Sequence, residues 1–259
     1  MRPDALPRLF VLALALALAA CGSAGGTSIK KESAASERTE AARVHTELGQ
    51  KYMQQGKLEI ALENLNKALG YDPDYVDAHT VIAVLYERIG DLKQAEEHYR
   101  RAAQIKSKGG AELNNYGAFL CKIGRYDEAN TYFQRALADP FYGTPAAALT
   151  NSGRCLLKAG KTDDAEAALR SALDRAPNDP DALFVMASVL YEKGDYFKAR
   201  AFMQRFESVG QAGPESLMLG RNIELRLGNG SAASDYTRRL LQSFPESQQA
   251  RDLNAQNQS

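Results

Sequence analysis

A glycine followed five residues later by an alanine recurs six times along this 259-residue chain, at Gly56/Ala61, Gly90/Ala95, Gly124/Ala129, Gly160/Ala165, Gly194/Ala199 and Gly228/Ala233. The intervals between the glycines are 34, 34, 36, 34 and 34 residues. A fixed period of this length marks a chain built from one supersecondary unit stacked on copies of itself. One such unit cannot bury its apolar face alone, so each needs a neighbour. An irregular helical bundle would leave the period unexplained.

The period is that of the tetratricopeptide repeat, a pair of antiparallel helices here called A and B. In the first unit, Leu48, Gly49 and Tyr52 fall on helix A, Gly56 in the turn, Ala61, Leu65 and Ala68 on helix B, and Pro73 at the close. Gly49 and Ala61 are small where the two helices approach, and Leu48, Tyr52 and Leu65 are expected to fill the space between them. Gly56 permits the positive φ that ends helix A. The expected fold is all-α, a right-handed superhelical solenoid of six repeats: 42–75, 76–109, 110–143, 146–179, 180–213 and 213–247. The small position of helix A is Gly49, Ala83, Gly117, Gly153, Ala187 and Gly220. The large position of helix B is Leu65, Tyr99, Phe133, Leu169 and Met203, then Thr237. Repeat six needs one extra residue in helix A to keep Gly228 in the turn, and it is expected to cap the array. In repeat five, Phe206 stands where an alanine is expected.

The ends of the chain differ in kind. Arg2 and Arg8 precede an uninterrupted apolar run from Leu9 to Ala20. That run reaches about 18 Å, too short for a hydrocarbon core of roughly 30 Å. Residues 1–20 therefore read as an export signal. Leu18-Ala19-Ala20-Cys21 resembles the bacterial lipobox, which implies cleavage before Cys21 and acyl chains on its sulfur and on the new N-terminus. Two or more chains give stable anchoring. Gly22 rather than Asp follows Cys21, which favours the outer membrane. Residues 21–41 are small, polar and charged, and are expected to form a flexible tether with a root-mean-square reach of roughly 25 Å. Residues 248–259 are expected to be a polar tail that frays.

Lys+Arg and Asp+Glu both number 32, so no basic excess points to nucleic acid. The sequence holds no HExxH, no CxxC pair, no Gly-rich phosphate loop and no nucleophile elbow. His45 and His79 occupy equivalent helix A positions and read as packing residues. Neither an enzyme nor a bound metal or cofactor is expected, beyond the acyl chains on Cys21. A repeat array of this type works by presenting a concave surface of A helices to a peptide or protein.

Cys121 and Cys155 stand 34 residues apart on the A helices of repeats three and four. Two readings stay open for them: a bridge in an oxidising compartment, or two buried free thiols. The stretch 138–145 (Ala-Asp-Pro-Phe-Tyr-Gly-Thr-Pro) breaks the period between the same repeats. Phe141 and Tyr142 either pack back onto helix B of repeat three or contact a partner.

The block Leu113 to Lys122 (LNNYGAFLCK), Gly124-Arg125-Tyr126, the Asp139–Tyr142 loop and Asn151-Ser152-Gly153-Arg154-Cys155 resemble the pilotin lipoproteins of type IV pilus biogenesis, the PilF/PilW family. The resemblance spans nearly the whole chain after residue 20 and is weakest after about residue 210. It implies an outer-membrane lipoprotein on the periplasmic face of a Gram-negative bacterium. The partner it implies is the pilus secretin, of the PilQ type, whose subunits such a protein brings to the outer membrane and helps to multimerise. A monomer is expected. The alternative is an outer-membrane adaptor for cell-wall hydrolases or other envelope complexes. Repeat geometry turns Asn114, Lys122, Thr150, Arg154, Lys158, Phe184, Ser188 and Tyr191 toward the concave side, with Asn115 and Asn151 nearby. Asparagine offers both donor and acceptor to an extended peptide backbone, or else satisfies contacts between helices.

Overall fold

The computed structural model describes residues 25–256, with side chains from 35 to 255. Within them the chain is all helical: α1 (Gly25–Gln54), α2 (Leu58–Tyr71), α3 (Val76–Ile89), α4 (Leu92–Ile105), α5 (Gly110–Lys122), α6 (Tyr126–Leu137), α7 (Pro145–Lys158), α8 (Thr162–Arg175), α9 (Pro180–Glu192), α10 (Tyr196–Val209), α11 (Pro214–Arg226), α12 (Gly230–Ser243) and α13 (Gln248–Gln256). The chain divides into two compact units, with the boundary between His98 and Tyr99 inside α4.

One device ends every A helix. Gly56 has φ +75°. That left-handed turn brings the Lys57 N–H to the Tyr52 carbonyl at 2.9 Å and the Gly56 N–H to Met53 at 3.1 Å. This is the Schellman arrangement, which satisfies carbonyls the helix would otherwise leave open. The glycines at 90, 124, 160, 194 and 228 repeat it, with φ from 74° to 86°. The recurring glycine of the sequence is thus a recurring backbone requirement.

In the first unit, Ala42, Ala68 and Ala78 are buried together where α1, α2 and α3 meet. Beside them lies a cluster of Ala61, Leu65, Val81, Ile82 and Leu85. A Cβ on Gly49 would come within 2.6 Å of Leu65 Cγ, so helix A approaches helix B over a leucine that fits only against a bare backbone. Tyr52 packs beside this cluster, whereas Leu48, expected inside, is 38% exposed. His79 is buried: its Nδ1 is 3.0 Å from His98 Nδ1 and its Nε2 is 3.0 Å from the Pro73 carbonyl. His45 stacks on Tyr71 and meets Asn64 Oδ1 at 3.3 Å.

The second unit repeats the close approach. Gly117 faces Phe133, Gly153 faces Leu169 and Gly220 faces Tyr236. The last of these corrects the expected Thr237. The expected extra residue is absent, α11 having 13 residues like α9, and Tyr236 stands to Gly220 as Phe133 does to Gly117, so it fills the space, and the Thr237 hydroxyl instead donates to the Ala233 carbonyl at 2.9 Å. Tyr236 donates to Glu207 at 3.0 Å, and burial followed by the Glu207 charge holds its phenol well above the usual range.

The expectations for the two ends of the chain are overturned. Residues 25–41, read as a flexible tether, belong to α1. Ile29 is their single large apolar residue, but Ala, Glu, Lys and Arg are strong helix formers, and the segment continues a helix already nucleated by packing from Ala42 onward. Residues 248–256, read as a fraying tail, form α13. Its Ala250 and Leu253 are buried against Leu217 and Leu240. Accordingly α13, not repeat six, covers the last apolar face. The loop between α6 and α7 divides its two aromatics. Asp139 accepts from the Gly110 and Phe141 N–H groups, each at 2.9 Å. This clamp lays Tyr142 over the bare backbone of Gly110 on helix A and leaves Phe141 92% exposed.

Candidate binding groove

The helix A face of the second unit carries a cavity of about 530 Å³ formed by α7, α9 and α11, with Gln249 of α13 at one end. Leu157 comes from α7, Phe184, Ser188 and Tyr191 from α9, and Met218, Leu219 and Asn222 from α11. The spacing 184, 188, 191 places three side chains on one helical face. Phe206 explains its own irregularity: buried, its ring lies 5.7 Å from that of Phe184 and supports it. An alanine there would remove that ring from the cluster behind Phe184.

The wall is mixed. Leu157, Phe184, Tyr191, Met218 and Leu219 offer apolar surface, and Asn222 offers a donor and an acceptor. The Ser188 hydroxyl is turned inward, donating to the Phe184 carbonyl at 3.0 Å. The charged members of the lining are Glu192 and Glu215. Glu215 accepts from Gln249 Nε2 at 3.2 Å. Lys193 does not offset this acidity, because its ammonium already bridges Asp163 at 2.7 Å and Glu166 at 2.6 Å. Those bonds hold the Lys193 ammonium above its usual range and, with Arg170, the Glu166 carboxyl below its own. The groove therefore suits an extended segment with apolar side chains and a cation.

Three of the ten expected groove residues, Phe184, Ser188 and Tyr191, line this cavity together. Three others have inward contacts. Asn114 is buried and accepts from Asn151 Nδ2 at 3.1 Å, which spends both asparagines on packing α5 against α7. Thr150 is buried, and its hydroxyl meets the Ala146 carbonyl at 3.0 Å and Asp179 Oδ2 at 3.3 Å. Asn115 is half-buried, Lys122 and Lys158 are exposed, and Arg154 lies 3.9 Å from Asp181, all outside the cavity lining. Leu157, Met218 and Asn222 were missed, yet the period held them: each lies 34 residues from Tyr191, Phe184 or Ser188. Cys121 and Cys155, on α5 and α7, form a disulfide with Cα atoms 5.6 Å apart. Cys21 lies outside the described residues. Among the described residues no group of three or more His, Cys, Asp or Glu could hold a metal ion, and no helix is long and apolar enough to cross a membrane.

The tetratricopeptide repeat pattern matches residues 46–110, 111–178 and 150–216. The type IV pilus assembly protein PilF of Pseudomonas aeruginosa is 31% identical over 246 residues, covering 95% of this chain and 97% of that protein. The crystal structure of PilW, described as a widely conserved type IV pilus biogenesis factor, superposes with a TM-score of 0.76 at 33% identity, over 82% of this chain and 97% of that one. The Pseudomonas aeruginosa PilF structure superposes with a TM-score of 0.72 at 31% identity, over 85% and 99%. The paired helices, the glycine turns and these likenesses along nearly the whole chain agree: the protein belongs to the PilF/PilW family of tetratricopeptide repeat proteins of type IV pilus biogenesis.

Proposed function

We propose that the protein is an outer-membrane pilotin, a lipoprotein that binds secretin subunits of the pilus machine and promotes their localisation and multimerisation. The observation that carries this reading is the 31% identity to PilF along 95% of the chain. Acyl chains on Cys21 supply the membrane attachment, and the protein contributes binding rather than catalysis. The groove of α7, α9 and α11 holds an extended secretin segment whose apolar side chains lie against Phe184, Tyr191 and Met218, while Glu192 and Glu215 favour a neighbouring cation. Removing one well-buried aromatic from such a contact costs on the order of 1.5–3 kcal/mol.

The test compares Cys21→Ala and the double variant Phe184→Ser/Tyr191→Ser with the native chain in cells. Detergent-resistant secretin multimers are then measured in separated inner and outer membranes. Cys21→Ala should move the multimers out of the outer membrane while the protein stays folded. The groove variant should reduce their amount with its own localisation intact. Unchanged outer-membrane multimers in the Cys21→Ala strain would overturn the reading.

A further inference from the structure

The second unit has another concavity, away from the helix A groove, where the loop that breaks the repeat period meets the end of α4. It encloses about 590 Å³ and is lined by Ser107, Lys108, Arg135 and residues 138–141. Three observations set it apart from an ordinary loop crevice. Phe141 stands 92% exposed at its mouth, although its neighbour Tyr142 is tucked over Gly110. That exposure is enforced: Asp139 holds the Gly110 and Phe141 N–H groups at once, and Pro140 fixes φ between them. The loop is pinned with its phenylalanine outward, so a partner meeting it has little ordering entropy to overcome.

Charge decides the kind of partner. The two cations of the lining are Lys108 and Arg135, and the one acid is Asp139, both of whose carboxylate oxygens accept backbone hydrogen bonds. Arg135 is preorganised: its guanidinium lies 4.9 Å from the Tyr132 ring centroid and donates to the Ser107 carbonyl at 3.2 Å. A planar donor fork held this way can still offer its remaining N–H groups to a carboxylate. We infer that this cleft is a second protein-binding site, taking an extended acidic peptide segment that sets an apolar side chain against Phe141 and a carboxylate between Lys108 and Arg135. The site is independent of the helix A groove and of the identity of its ligand. A flat membrane surface is the less favoured occupant, because the cations line a concavity beside the phenylalanine instead of flanking it on a plane.

The test uses the chain from residue 22 onward, without acyl groups, and the dye-labelled peptide Ala-Glu-Leu-Glu-Phe-Glu-Ala as probe. A second probe has lysine at each glutamate. Fluorescence anisotropy should show saturable binding of the acidic peptide and none of the basic one. Phe141→Ser and Lys108→Glu should each weaken binding about tenfold or more, with circular dichroism unchanged, and Phe184→Ser/Tyr191→Ser should leave it intact. Absence of acidic-peptide binding at millimolar concentration would overturn the proposal, as would equal binding by Phe141→Ser. So would Phe141-dependent sedimentation with phosphatidylglycerol vesicles in the absence of peptide binding, which would make the loop a lipid contact.

Discussion

Gly153 on α7 lies so close to Leu169 on α8 that a Cβ on the glycine would sit 2.6 Å from the leucine Cγ. The leucine is fully buried and the approach is between helices, so neither partner has free space to move into. Gly153→Ala should therefore destabilise the chain by about 1–3 kcal/mol through overpacking. Combining it with Leu169→Ala should cost less than the sum of the two single changes, because the added methyl enters the cavity the leucine leaves. Urea unfolding of the two single variants and the double variant measures this. Strict additivity would contradict the close approach.

The Cys121–Cys155 bridge closes a loop of 34 residues and ties one A helix to the next. By the chain-entropy relation, a loop of that length is worth about 3–4 kcal/mol. Alkylation of the unfolded, unreduced protein should leave both thiols unmodified, and prior reduction should expose both to the reagent. The double serine variant should fold with a lower urea midpoint and an unchanged helical spectrum.

Acid should weaken the first unit through His98. Burial, then the neighbouring His79, lowers the His98 pKa from its ordinary 6.5, with Glu97 opposing. In the fold His98 stays neutral where the unfolded chain would take up a proton. The contribution to stability is complete above about pH 6.5 and declines as the pH falls below that value toward the lowered folded one. Thermal unfolding between pH 8 and 5 should show this decline, and His98→Phe should flatten it. An identical pH profile in the variant would rule His98 out as the source.

The end helix α13 should matter more than its polar composition suggests. Leu253→Ala removes a side chain buried against Leu217 and Leu240, and should cost about 2–3 kcal/mol. Deleting residues 248–259 should go further, exposing those two leucines and promoting self-association, which light scattering would detect.

Period and composition differ in how much of this they reveal. The glycine turns, the helix pairs and the aromatic face of α9 follow from spacing, because a backbone that needs positive φ every 34 residues needs glycine there. Met218 and Asn222 were equally legible, by adding one period to Phe184 and Ser188. Thr237 failed because it was counted from the turn glycine, whereas the packed pair keeps the separation seen in Gly117/Phe133 and Gly153/Leu169, which from Gly220 reaches Tyr236. Asn114 and Thr150 failed for a different reason. Position on the A helix brings a polar group near the groove, but a hydrogen-bond partner on the next helix or loop draws it inward. At the termini, low apolar content points to disorder, and the helices α1 and α13 form there nonetheless. The pair Ala250 and Leu253, three residues apart, was the overlooked sign of a helix with one buried face.

Helix α1 spans Gly25–Gln54, although its packed part begins at Ala42. The intervening stretch advances about 25 Å at 1.5 Å per residue. A coil of this length would cover a similar mean distance but in no particular direction, and would tolerate small insertions without consequence. A helix couples length to rotation. One inserted residue between Gly25 and Ala42 would turn everything upstream by about 100° around the axis while moving it only about 1.5 Å. Azimuth, more than separation, is what this segment transmits from the folded unit to whatever is attached ahead of it.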